Sequence, residues 1–190
     1  MREIDFSKWE LRKLAIKLKG AEAFKRADCV GTVEEEFELK TVTKSCRGVV
    51  KKSKTKPIGG TLNISMHIPY DLYCGMFDMV RDDLVAGVQG YGTNNVHQEF
   101  CAVGEFYNEE NEMMLVAWPN CSNSAGPNTN VENGAEEIAE AELEIAIMPD
   151  DNDYLRYECL PDDLAEEDAS IAEQWMTDFT PELVAKVKTA

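Results

Sequence analysis

Two histidines, six cysteines, a short acidic run and one glycine-rich stretch are the residues of this 190-residue chain whose types could support catalysis, metal binding or phosphate binding. His67 and His97 stand 30 positions apart, and neither has the carboxylate or cysteine at short spacing that a metal pair or proton relay uses. The cysteines Cys29, Cys46, Cys74, Cys101, Cys121 and Cys159 are separated by gaps of 17 to 38 residues. Thiolate metal sites bring two ligands within about two to four residues, so this spacing reads as reduced core or interface thiols. Asp150-Asp151-Asn152-Asp153 lacks the glycine and the distal glutamate of a calcium loop, and reads as a solvated turn. Gly87-Val88-Gln89-Gly90-Tyr91-Gly92 follows no convincing strand, and there is no Gly-x-Ser-x-Gly or phosphate-cradling loop before a lysine. The expectation is a protein that is not an enzyme and needs no metal or cofactor.

Charge is the stronger signal. The net charge of −17 is unevenly spread: residues 1–60 hold 15 of the 19 Lys and Arg against 9 acids, +6, whereas residues 61–190 hold 4 against 27, −23. Such asymmetry suits either a basic arm meeting nucleic acid or complementary surfaces for head-to-tail association of copies. A pI near 4.5 opposes the first, because the summed field repels phosphate. Lys40, Lys44, Arg47, Lys51, Lys52, Lys54 and Lys56 have no aromatic interleaved for base stacking, which favours an electrostatic protein contact. Two acidic runs have period two: Glu34, Glu36 and Glu38, and Glu140, Glu142 and Glu144. Like charges on alternate residues of a strand repel one another and add nothing to stability, so each run reads as a solvent-facing sheet surface or as a wall from which anions are repelled.

The elements that must position these residues are mostly strands. Residues 13–19 alternate apolar and basic and close at Gly20; Val33, Phe37 and Leu39 oppose the first glutamate run. Residues 40–57 read as a long basic loop or extended hairpin ended by Gly59-Gly60, after which Leu62, Ile64, Met66 and Ile68 alternate with Thr61, Asn63, Ser65 and His67. Pro69 opens a short helix carrying Leu72, Met76 and Met79 on one face, and residues 80–98 read as irregular connection. Runs at 100–107 and 113–118 flank a polar turn and predict a β-hairpin; 119–134 is turn-rich. Residues 137–147 are rich in the helix formers Ala and Glu, yet their period is two, and burial of a whole face outweighs propensity differences of a few tenths of a kcal/mol per residue; a strand is expected. The tail regains helical spacing at Ile171, Trp175 and Met176, and Thr180-Pro181-Glu182 reads as a capped helix start, so the tail is expected to dock through Trp175, Met176 and Phe179 on the domain or on a neighbour. No run of 18 apolar residues occurs, and the first residues lack the apolar core of a secretion signal; no membrane contact and no export are expected.

Residues 41–56 with 60–73, Trp118-Pro119-Asn120-Cys121, 131–137, 143–150 and 175–181 together resemble major tail proteins of long-tailed bacteriophages of Gram-positive hosts, over most of residues 40–182. The resemblance implies a mainly β fold: a β-sandwich of the tail-tube type over residues 1–160, with one short helix packed on the sheet and a helical C-terminal arm over 161–190. It implies homo-hexameric rings stacked into a tube, with the genome passing through without specific binding. A tape-measure protein, a tail terminator and a distal tail protein would be partners, and the location would be the virion tail after assembly in the host cytoplasm. Lys44, Arg47, Lys51, Lys52, Lys54 and Lys56 would then make contacts between rings, and one or both glutamate runs, Glu34, Glu36 and Glu38 or Glu140, Glu142 and Glu144, would face the lumen. The alternatives are a different particle component that forms one ring, such as a head–tail joining or distal tail protein, a tube of a phage-derived particle, or a β-sandwich ligand-binding module.

Overall fold

The computed structural model describes residues 6–47, 49–128, 134 and 140–186, with Asp28 and Cys29 as backbone only. The first five residues, positions 129–133, and the part of the expected sixth strand at 137–139 therefore lie outside the described residues. The chain is mainly β. Its strands are β1 (Glu10–Leu18), β2 (Lys25–Cys46), β3 (Val49–His67), β4 (Phe100–Tyr107), β5 (Met113–Asn123), β6 (Ala141–Ile147) and β7 (Tyr157–Cys159), with helices α1 (Tyr70–Met76) and α2 (Ser170–Asp178).

All seven strands join one antiparallel sheet in the order β4-β1-β2-β3-β6-β5-β7, and a further β4–β5 pairing closes it on itself. Inside lie Leu14 and Ile16 of β1, Leu62 and Ile64 of β3, Phe106 and Trp118 of the β4–β5 hairpin, and Leu143, Ile145 and Ile147 of β6. Leu72, Met76 and Phe77 of α1 and its C-terminus pack into the same core. The β4–β5 turn is fixed by the buried Asn108, whose Oδ1 accepts the Glu110 and Glu112 amides. Asn111 supplies the left-handed residue, φ 66°.

The two halves of the sheet differ in exposure. The outer faces of β1, β4 and β5 are covered: Ala15, Val103, Leu115 and Ala117 form a second cluster with Trp175 and Phe179 of the tail. This is why β4 and β5 read as continuous apolar runs while β3 and β6 alternate.

Several sequence expectations need correction in detail. Gly59-Gly60 does not end the basic segment: β3 runs unbroken through it, and the pair sits beside a bulge where pairing shifts from Glu38↔Gly59 to Leu39↔Pro57. β5 extends through Pro119 to Asn123 into the segment expected to be turns, because Cys121 and Asn123 find partners on β6. Pro69 precedes α1 rather than opening it, with ψ 130°. Thr180 makes no side-chain cap, and residues 181–184 form a single 3₁₀ turn. The short β7 was not anticipated; three residues are too few to carry a period.

Candidate functional site

The two glutamate runs, far apart in sequence, share one surface. In antiparallel pairs, directly opposed residues point to the same side of the sheet. Glu34 opposes Asn63, which opposes Glu144; Glu36 opposes Thr61, which opposes Ala146; and Ser65 opposes Glu142. Glu34, Glu36, Glu142 and Glu144 therefore share the exposed face of β2, β3 and β6, floored by Thr61, Asn63 and Ser65. Val33, Phe37, Leu62, Ile64, Leu143 and Ile145 lie on the reverse. Glu38 extends the face at the bulge, opposite Gly59. Glu140 lies just before β6, and its carboxylate reaches across β3 beside Ser65 into the space a side chain at position 31 would occupy; Gly31 leaves that space open. Ser124 Oγ donates to Glu144 Oε1 at 2.9 Å.

One glutamate of the same strand behaves oppositely. Glu35 points to the core side, where it accepts the Trp118 Nε1 hydrogen and pairs with Arg156. The Arg156 guanidinium lies over the Phe37 ring at 5.1 Å and also reaches Glu158 at 3.2 Å. Sequence reading passed over Glu35, although its parity with Val33 and Phe37 was the available sign that it faces inward.

Beyond Gly60 the β2–β3 pair leaves the body. β6 pairs with β3 only from Gly60 to Met66, so Leu39–Cys46 and Val49–Pro57 form a bare two-stranded hairpin about 25 Å long. The basic segment is thus an extended hairpin, exposed at every described position from 39 to 58. Lys40 opposes Lys56 and Lys44 opposes Lys52, with Val42 and Lys54 between them, while Thr41 and Thr55 share a 2.8 Å hydroxyl hydrogen bond on the other side. Like charges directly opposed destabilise a pair, and a lone hairpin is marginal in water. Arg47 turns the tip with φ 53°, and Lys51 flanks it.

The remaining candidates have structural surroundings. His97 Nδ1 donates to the Asn123 carbonyl at 2.8 Å, which leaves Nε2 to accept from the Tyr91 hydroxyl at 2.9 Å. Its ring stands edge-on to Phe77 at 5.1 Å. His67 ends β3 on the outward face of the sheet. Cys74 and Cys121 are buried, Cys101 and Cys159 half-buried and Cys46 exposed, all as free thiols. Burial pushes the Cys101 thiol up to about 12 and Cys121 well above its ordinary range. Asp150 closes its own turn by accepting the Asn152 and Tyr154 amides, and it also accepts the Tyr157 hydroxyl at 2.6 Å. Among the described residues no group of three His, Cys, Asp or Glu side chains is placed to hold a metal ion, and no helix is long and apolar enough to cross a membrane.

No protein-family model matches this chain, and no curated protein matches it in sequence.

Of the tail residues, Trp175 is 1% exposed and donates its indole hydrogen to the Val116 carbonyl at 3.1 Å, and Phe179 stacks on it with ring centres 4.7 Å apart. Met176 packs half-buried at the edge of the same cluster. All three dock on their own sheet.

Proposed function

We propose that this chain is the non-enzymatic building block of a phage tail tube, closing into hexameric rings that stack around a bore through which the genome passes. The observation that carries the reading is the meeting of both glutamate runs on one uncovered sheet face. A protein has no folding reason to place four carboxylates there, since their mutual repulsion lowers stability. A bore lined by that face repels the phosphate backbone and lets DNA slide without adhering.

Two further features support it. Among the described residues, β2 beyond Ala27 pairs only with β3, which leaves a long open edge on which a second copy can add its sheet. The basic hairpin supplies a contact of opposite sign along the stacking direction, and a contact that does not close on itself grows a filament. In this reading the sheet with its covering helices is the tube-type sandwich of the resembling family. The tape-measure, terminator and distal tail proteins are its partners, and the virion tail is its location.

Negative-stain microscopy of the purified chain at rising concentration tests the proposal. Hollow tubes are expected; single rings would assign the chain to a joining or distal position instead, and a persistent monomer would refute assembly altogether. Charge reversal at Lys51, Lys52 and Lys54 together is expected to abolish stacking while leaving the circular dichroism spectrum of the subunit intact.

A further inference from the structure

Large apolar side chains left in water gather in two places on this protein. One is the hairpin, with Leu39, Val42, Val49, Val50 and Ile58 exposed. The other is the connection between α1 and β4, residues 77–99, where Val80, Val85, Val88, Tyr91 and Val96 are exposed, Val85 by 75%. Isolated exposed apolar residues are ordinary, whereas five within one short segment, on the hairpin and again on the connection, exceed that scatter and mark segments that another chain can cover.

The connection is built to hold its shape although it contains no helix or strand. The Asn95 amide donates to the carbonyls of Phe77, Asp78 and Gly90, and its oxygen accepts the Gly92 amide. Gly90 N bonds Met79 O, closing the first part of the segment on itself, and Gln98 N bonds Met76 O, tying its far end to α1. Phe77 is wedged edge-on against Tyr91 and His97. A surface ordered before binding loses little entropy when a partner arrives.

The two patches differ in charge. Residues 39–58 carry seven Lys and Arg and no acid. Residues 77–98 carry Asp78, Asp82 and Asp83 against Arg81, and Asp82 and Asp83 stand exposed among the valines.

Within one subunit the patches cannot meet. α1 begins three residues after β3 ends at His67, whereas the hairpin tip lies at Val49, so 18 residues of extended strand, about 60 Å, separate the tip from the helix that anchors the connection. Copies stacked along β3 bring the tip of one towards the α1 end of the next. The exposed sheet face offers that tip glutamates, Thr61, Asn63 and Ser65, which match its charge but give Val49 and Val50 no apolar cover.

We infer that the 77–99 connection of one copy is the receptor for the hairpin tip of the next, with Val49 and Val50 seated among Val80, Val85 and Val96, and the flanking lysines facing Asp82 and Asp83. This rests on the stacking proposed above and names the surface that receives the arm.

Cys46, one residue before the turn and the one exposed cysteine among those described, is a built-in reporter. The full-length chain carrying Val80→Cys, Val85→Cys or Val96→Cys, one at a time, is assembled and oxidised. Disulfide-linked chains on a non-reducing gel are expected from at least one of these variants, and are expected to vanish when Cys46→Ser is added. Thr61→Cys reports on the acidic face and is expected to give none. Tubes that cross-link through Thr61→Cys, or through none of the four positions, overturn this receptor while leaving the tube standing. Chains that stay monomeric under the microscope overturn the stacking itself and this contact with it.

Discussion

Replacing Glu34, Glu36, Glu142 and Glu144 together by glutamine is expected to stabilise the isolated subunit, and by more than removing four scattered surface carboxylates would, although the net charge of −17 favours both changes. Carboxylates two residues apart on one strand sit about 7 Å apart, and Glu34 and Glu144, on either side of the β3 strand, about 10 Å. At the dielectric of water a 7 Å pair of like charges costs about 0.6 kcal/mol and a 10 Å pair about 0.4 kcal/mol. Together with the diagonal pairs, the face carries about 2 kcal/mol of repulsion unscreened and about 1 kcal/mol at 0.1 M salt, where the Debye length is about 10 Å. The assay is urea unfolding followed by tryptophan fluorescence at low and high ionic strength. A parallel variant with Glu22, Glu110, Glu167 and Glu173 replaced by glutamine matches the change in net charge on scattered exposed positions. The clustered variant should gain about 1 kcal/mol more than the scattered one at low salt, and the difference should fade at about 1 M salt. A loss of stability, or a gain that high salt leaves untouched, would refute the argument that this face is kept acidic against the interest of folding.

Three other perturbations probe the scaffold. Trp175→Ala should cost about 3 to 5 kcal/mol of unfolding free energy, and Trp175→Phe, which loses the hydrogen bond to Val116, about 1 to 2 kcal/mol; because the tail docks on its own sheet, neither loss should vary with protein concentration in the monomer range. In native protein at pH 8, Cys46 should react with a disulfide reagent in seconds while the buried Cys121 stays silent until denaturant is added and the half-buried Cys101, its thiol also raised, reacts far more slowly than Cys46; reaction of Cys121 as fast as that of Cys46 would contradict its buried placement. Burial, and then the Asp150 carboxylate, raise the Tyr157 phenol above its ordinary value. A raised phenol favours the folded state fully below the unfolded value near about 10 and loses that contribution as pH climbs beyond it. Wild type should therefore lose more stability between pH 9 and 11 than Tyr157→Phe, as read from urea midpoints.

Period and charge made much of this protein legible before any fold was known. Alternation marked the strands at 13–19, 33–39 and 61–68, apolar runs around a polar turn marked the hairpin at 100–118, and period two overrode helix propensity at 141–147, because one buried face outweighs small per-residue preferences. The basic block at 40–57 was recognisable as projecting, for it holds no apolar face that could be buried. What alternation cannot convey is which strands become neighbours. Glu34 and Glu144 share a surface because β3 pairs with β2 on one edge and on the other with β6, whose partners lie 75 to 87 residues further along the chain and leave no local mark. Strand parity already sets Glu35 on the side opposite Glu34 and Glu36, but only tertiary placement supplied Arg156 and Trp118 as partners for the inward carboxylate. It likewise gave the irregular 77–99 segment its fixed shape, through Asn95 and the rings around Phe77. The sequence by itself determined which residues could be strands and which charges they carry, since both follow from side-chain chemistry at fixed spacing. Only the closed sheet decided that those charges gather into one acidic face at its surface, because burying the apolar side of β2, β3 and β6 around a common core forces their polar sides to be shared.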